Sequence, residues 1–233
     1  VGHGAAKLAP HAPAHKPRAR GGPRGTLSRE PRRQGVALDL ATLRLAALAA
    51  FVPLLLAYAD TPLRTFGQKF VAHRWAERLV LFSIELNLLL LWALAKLFLG
   101  RDAPLSPPEG ERTLAAVGAV LAWAGAAFTI WAKLTLGRWF SASFGVKQGH
   151  ELVTRGPYAI VRHPMYAGLL VFGAGLGLAY DSALTLGVAA LFSVPLVLHA
   201  LIEEQLFARH FGDAWSAYRA RVPMLVPGLR TRH

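Results

Sequence analysis

Residues 155–168 read RGPYAIVRHPMYAG. Gly156-Pro157 is a turn signal. Pro164 suits the first position of a helix, where its missing N–H would have no intrahelical partner anyway. An apolar run follows at once, GLLVFGAGLGLAY over 168–180. The stretch therefore predicts a helix whose mouth gathers Arg155, Tyr158, Arg162, His163 and Tyr166. Unpaired N–H groups and the helix dipole make such a mouth a site for an anionic group.

Working outward, the apolar residues come in long blocks. They make up 54% of 233 residues, and the mean hydropathy is +0.36. Both are too high for an ordinary soluble domain. The sequence therefore predicts an all-α, polytopic membrane protein. Alternating hydrophobicity is absent, which excludes a membrane β-barrel. Five spans are expected, at about 38–59, 79–99, 113–134, 164–180 and 183–202. The last two are joined by the tight turn Asp181-Ser182, so they form a hairpin. Gly173 and Gly177 are spaced for close helix approach. Glu85 and Asn87 interrupt the second span; a charged group at that depth normally faces the protein interior. The chain has no cysteine, which excludes disulfides, thiolate metal sites and a cysteine nucleophile.

The formal net charge is +13. On a polytopic protein this points first to lipid headgroups and topology, and no nucleic-acid partner is inferred. Residues 1–37 are rich in Pro, Gly, Ala, Arg and His, without apolar period. They read as a basic disordered tail, solvated or touching anionic lipid, and not as a signal peptide. Residues 38–233 form the membrane domain. The polar bridge over 135–162 carries Arg138, Lys147, Arg155 and Arg162, which places it in the cytosol. Counting back three spans puts the basic tail on the other side, against the same rule. The composition suggests a bacterial source, hence an inner-membrane protein with a cytosolic site.

Polar groups converge from two places. One is the bridge: Lys147, His150, Glu151, Tyr158, Arg162, His163 and Tyr166. The other is the end of the fifth span: His199, Glu203 and Glu204. The hairpin brings Pro164 and Glu203 to the same side. His199 and Glu203 are four apart and share a helical face, while Glu204 points about 100° away. Two ligands at that spacing lack an obvious third, so no metal is expected. Gly173, Gly175 and Gly177 follow no strand, which rules out a dinucleotide fingerprint. No phosphate-binding loop is present. A zwitterion with a carboxylate at the helix mouth and a cation near Glu203 would fit, although spacing alone does not single out one ligand.

HELVTRGPYAIVRHPMYAG over 150–168, followed by EEQLFARHFGDAWSAYRARVPMLVP over 203–227, resembles the isoprenylcysteine carboxyl methyltransferase family. That family is grouped with the phospholipid N-methyltransferases. The resemblance runs over about 133–228, in several ordered motifs. It implies S-adenosylmethionine as cofactor, held by Lys147, His150, Glu151, Leu152, Val153, Tyr158, His163, Pro164, Met165, Tyr166 and Glu203. It implies catalytic roles for His199 and Glu203, with His199 facing the substrate. Where the family has an arginine four residues before the glutamate, this chain has His199. A histidine cannot clamp a carboxylate with two hydrogen bonds at every pH. A lipophilic or small acceptor bearing a carboxylate, thiol or amine is therefore expected, with membrane lipids as partners and no obligate protein partner. The alternatives are a phospholipid or amine N-methyltransferase, or a non-catalytic membrane protein that retains the fold.

Overall fold

The computed structural model describes residues 38–59, 69–73, 75–99, 103–141 and 145–229. The basic tail over 1–37 lies outside them. A helix occupies each of the five expected places. The first is broken into α1 (Leu40–Ala49) and α2 (Phe51–Tyr58). Asp39 caps α1 by accepting from the Thr42 N–H at 2.7 Å. The break at Ala50 follows from Pro53, whose ring cannot sit over an unbroken preceding turn. Then come α3 (Trp75–Leu99), α4 (Glu111–Leu136), α5 (Pro164–Ala179), α6 (Ala183–Phe211) and a short terminal α7 (Asp213–Arg221). Among the described residues three stretches are long and apolar enough to cross a membrane: Leu40–Tyr58, Glu111–Trp139 and Ala183–Phe211. The apolar α5 is shorter.

One expectation needs correction. The chain is mostly helical rather than all-α. β1 (Phe70–His73) pairs antiparallel with β2 (Gly145–Lys147), Phe70 opposite Lys147 and His73 opposite Gly145. These short segments lie far apart in the chain and neither shows the alternation that marks a strand alone. The fifth helix continues past Ile202 to Phe211 and ends at Gly212, whose φ is 52°. Beyond it, Trp215 and Tyr218 are buried against the protein.

The core is made by small residues. α4 buries Ala115, Gly118, Ala119, Ala122, Gly125 and Ala126 against Gly168, Phe172, Gly175 and Ala179 of α5. Glycines on both sides let the two backbones touch. A Cβ on Gly118 would lie 2.2 Å from the Ala179 nitrogen, and one on Gly175 would lie 2.4 Å from the Ala122 nitrogen. Gly173 and Gly177 face α6 instead, meeting Ala189 and Leu186 at 3.2 and 3.0 Å. The hairpin turn is where it was expected. Asp181 there has φ 49°, and its carboxylate accepts from the Leu105 and Ser106 N–H groups at 2.9 and 3.0 Å. That latch ties the loop before α4 to the α5–α6 turn.

Candidate active site

The site forms where the mouth of α5 meets the last turns of α6. Pro164 is the first helical residue and His163 precedes it. The N–H groups of Arg162 and His163 donate to the Pro223 and Met224 carbonyls at 2.8 and 3.0 Å. The segment after α7 thus consumes two donors of this mouth. The N–H groups of Met165 and Tyr166 remain without an intrahelical acceptor.

Glu203 and Glu204 enclose the buried His163 ring. Nδ1 lies 3.4 Å from Glu203 Oε2 and Nε2 lies 3.4 Å from Glu204 Oε1. Both ring nitrogens therefore face carboxylates, which favours the imidazolium. Burial opposes that charge, and the two carboxylates overcome it, so the proton is held more firmly than in water. Tyr166 stacks on His163 with ring centroids 5.6 Å apart and donates its hydroxyl to Glu203 Oε1 at 3.0 Å. Glu204 also takes Arg162, with Nε at 2.8 Å and Nη2 at 2.7 Å.

His199 is held from the second expected span. Its Nε2 lies 3.2 Å from Glu85 Oε1, and Arg78 Nη1 lies 3.2 Å from its Nδ1. The same Nη1 also lies 3.4 Å from Nε2, so the guanidinium faces both ring nitrogens while Glu85 faces Nε2. Arg78 is a functional candidate the sequence hid. It looked like one more loop cation, whereas the intramembrane Glu85 stood out.

Two cavities meet here. The larger is about 750 Å³. Its walls are apolar, with Phe51, Leu89, Phe172 and Phe192, and its polar end is Arg78, Glu85, His199 and Glu203. The smaller is about 70 Å³, lined by Trp139, His150, Tyr158, His163, Pro164 and Phe207. Phe140, Ser141, Met165, Tyr166 and Glu203 belong to both. His150 stacks on Trp139 at 5.0 Å, the planes 12° apart. Two buried atoms in the smaller cavity, the Tyr158 hydroxyl and His150 Nδ1, have no hydrogen-bond partner. Such groups are costly unless a ligand or water serves them. Burial also drives the Tyr158 hydroxyl well above its ordinary value, so it stays a proton donor.

The remaining expected residues fall elsewhere. Lys147 is buried and donates to the Arg138 carbonyl at 2.6 Å and to the Phe140 carbonyl, holding the bridge. Glu151 is exposed and pairs with Arg138 at 3.2 Å. Leu152 and Val153 line neither cavity. Among the described residues no group of three or more His, Asp or Glu is placed to hold a metal ion.

His150 carries a pH signature. Burial first, then the nearby Lys147, lowers it from 6.5 to about 4. Between those values the unfolded chain binds a proton that the folded chain refuses, so stability should fall as pH drops through this window. His163, shifted the other way, contributes stability at low pH that is lost as pH rises through its raised value. Melting temperatures of wild type and His150→Phe at about pH 7 and about pH 5 separate the two. The acid loss should be smaller in the variant; an equal loss would remove His150 as its source.

Comparison with known proteins agrees with this architecture. Residues 113–214 match the phospholipid methyltransferase family. Over 98 residues the chain is 35% identical to the nickel-cobalt-cadmium resistance protein NccN of Alcaligenes xylosoxydans xylosoxydans, covering 41% of this chain and 45% of that protein. Over 82 residues it is 34% identical to the protein-S-isoprenylcysteine O-methyltransferase of Schizosaccharomyces pombe, covering 34% of each. The match thus spans less than half the length of these curated relatives. The solved structure of a eukaryotic intramembrane Ras methyltransferase, isoprenylcysteine carboxyl methyltransferase, shares the fold, with a TM-score of 0.51 at 18% identity, over 85% of this chain and 71% of that one. Over its second half the chain is thus similar to the phospholipid methyltransferases and to isoprenylcysteine methyltransferases, and its fold is shared with a membrane methyltransferase of known structure.

Proposed function

We propose that this protein is an integral-membrane methyltransferase that draws its methyl group from S-adenosylmethionine and acts on a lipophilic or small acceptor carrying a carboxylate, thiol or amine. The observation that carries the reading is the wall shared by the two cavities. A large apolar chamber and a small aromatic, polar one touch at Met165, Tyr166 and Glu203. That is the arrangement needed to bring a greasy acceptor and a polar cofactor together from opposite sides.

The donor set suits the cofactor in kind. Glu203 offers a carboxylate to a cation, and the Met165 and Tyr166 N–H groups suit a carboxylate. The Tyr158 hydroxyl and His150 Nδ1 offer unmet hydrogen bonds, and Trp139, His150 and Phe207 offer ring faces. A cavity of about 70 Å³ is smaller than a nucleoside, so binding must part the Trp139–His150 wall. Lys147 and Glu151 to Val153 then act through the shape of the bridge. The bound cofactor supplies a methyl group on a sulfonium, already electrophilic, so the protein has mainly to position and desolvate. Glu203 is held for this by Tyr166 and His163. His199, fixed by Glu85 and Arg78, orients the acceptor's polar end. The apolar chamber excludes water from the meeting point. In this reading the site faces the cytosol of a bacterial inner membrane, as the basic bridge predicts.

The family match over 113–214 favours phospholipid or amine N-methylation as the second reading. The test is calorimetric titration of S-adenosylhomocysteine into the detergent-purified protein, followed by uptake of labelled methyl into membrane extracts. Binding in roughly the micromolar range is expected. Label on a headgroup nitrogen would select the second reading. A folded, monodisperse protein that binds nothing would defeat both.

A further inference from the structure

Glu204 lies on the wall of neither cavity, yet Arg162, His163 and Arg219 all engage its carboxylate. It is 5% exposed. Its Oε1 takes Arg162 Nε and Nη2 and lies 3.4 Å from His163 Nε2; its Oε2 lies 3.5 Å from Arg219 Nε. Arg162 in turn donates to the Arg219 carbonyl at 3.2 Å and to the Val222 carbonyl. Tyr218 adds a bond to the Tyr158 carbonyl at 2.7 Å. One buried carboxylate thus ties four pieces together: the α5 mouth, α6, α7 and the segment Val222–Met224.

We infer that Glu204 is a positioning residue for the cofactor site, acting through His163 on Glu203. The argument rests on the two faces of one ring. Glu204 engages Nε2, so a proton must stay on that nitrogen. Glu203 engages Nδ1 and needs a proton there too. With both protons present, His163 donates to both glutamates and fixes the Glu203 carboxylate against Tyr166. With only one, the ring is neutral and can serve just one carboxylate, so the charge-assisted bond to Glu203 is weakened or lost. The charged and titratable groups around the ring are Glu203 and Glu204 on α6, Tyr166 on α5, Arg162 on the preceding turn and Arg219 on α7. Of these, Glu203 and Glu204 touch the ring nitrogens. Arg162 and Arg219 contact Glu204 rather than the ring nitrogens.

The inference rests on the cofactor reading above, and the experiment separates the two. S-adenosylhomocysteine is titrated into wild type and Glu204→Gln at about pH 6 and about pH 8. Binding by wild type upholds the site itself; its absence would defeat the function and this inference with it. In the variant the His163 proton leaves at lower pH. Affinity should then fall by about tenfold at the higher pH and far less at the lower one. Arg162→Met with Glu204→Met removes the buried ion pair as a unit, a change that folds commonly tolerate. It should show the same pH-dependent loss, which keeps the question open to test if the single variant does not fold. Tyr218→Phe loosens the α7 contact without touching the ring, and should lower the melting temperature while leaving the pH profile in place. Equal losses at both pH values, or none, would overturn the role and leave Glu204 as a structural clasp.

Discussion

Gly125→Ala should cost the protein most of its stability although it adds one methyl group. The new Cβ would lie 2.4 Å from the Phe172 nitrogen, 2.6 Å from the Gly168 carbonyl oxygen and 2.9 Å from the Phe172 Cα. All three are backbone atoms of α5, so no rotamer change makes room. The helices must separate, and the close packing along Gly118, Ala122 and Gly175 goes with them. Overpacking of this kind costs about 1–3 kcal/mol where side chains can yield, and here they cannot. We expect a fall in melting temperature of about 10 °C or a failure to purify as a monodisperse species. Gly187→Ala on α6 is the control. Nothing lies within 4 Å of its Cβ position, and alanine is the better helix former by about 1 kcal/mol. Its melting temperature should hold or rise. Equal behaviour of the two variants would refute the close α4–α5 contact.

Glu203→Gln should weaken cofactor binding severely while leaving the fold intact. The carboxylate accepts from Tyr166 at 3.0 Å, faces His163 at 3.4 Å and lies on both cavity walls. The amide keeps the size and loses the charge. A charge-assisted hydrogen bond is worth about 1.5–3 kcal/mol, or roughly ten- to a hundredfold in affinity. The loss should be greater for S-adenosylmethionine, whose sulfonium is cationic, than for its neutral thioether product. His199→Gln, which changes only the larger cavity, should leave product affinity unaltered. Calorimetry on both variants decides the matter. Unchanged binding in Glu203→Gln would remove its assigned role, and a large loss in His199→Gln would mean that the two cavities are not functionally separate.

What the sequence made legible was local. Pro164 after His163 announced a helix start, and Asp181-Ser182 announced the hairpin turn. The i, i+4 spacing put His199 and Glu203 on one face, where the structure has both on the larger cavity. Periodicity reports only one helix at a time. It could not show that Arg78 and Glu85 hold His199 from another helix, or that Arg162 finds Glu204 across 42 residues. It could not show which glycines face which neighbour: Gly173 and Gly177 meet α6, while Gly168 and Gly175 meet α4 more tightly. The β1–β2 ribbon was invisible for the same reason, being short strands that exist only because the chain returns to pair them.

The length of α5 has a consequence for where the reaction takes place. Its 16 residues rise about 24 Å, some 6 Å less than the hydrocarbon thickness of a bilayer. Such a helix cannot reach both headgroup layers. Either the membrane thins around it or its polar mouth stops below the phosphates. Where the mouth is the end that stops short, Glu203, His163 and Tyr166 would sit where water is scarce and charge–charge attraction is strong. An acceptor anchored by its apolar chain would reach them by lateral diffusion, without lifting any of that chain out of the lipid.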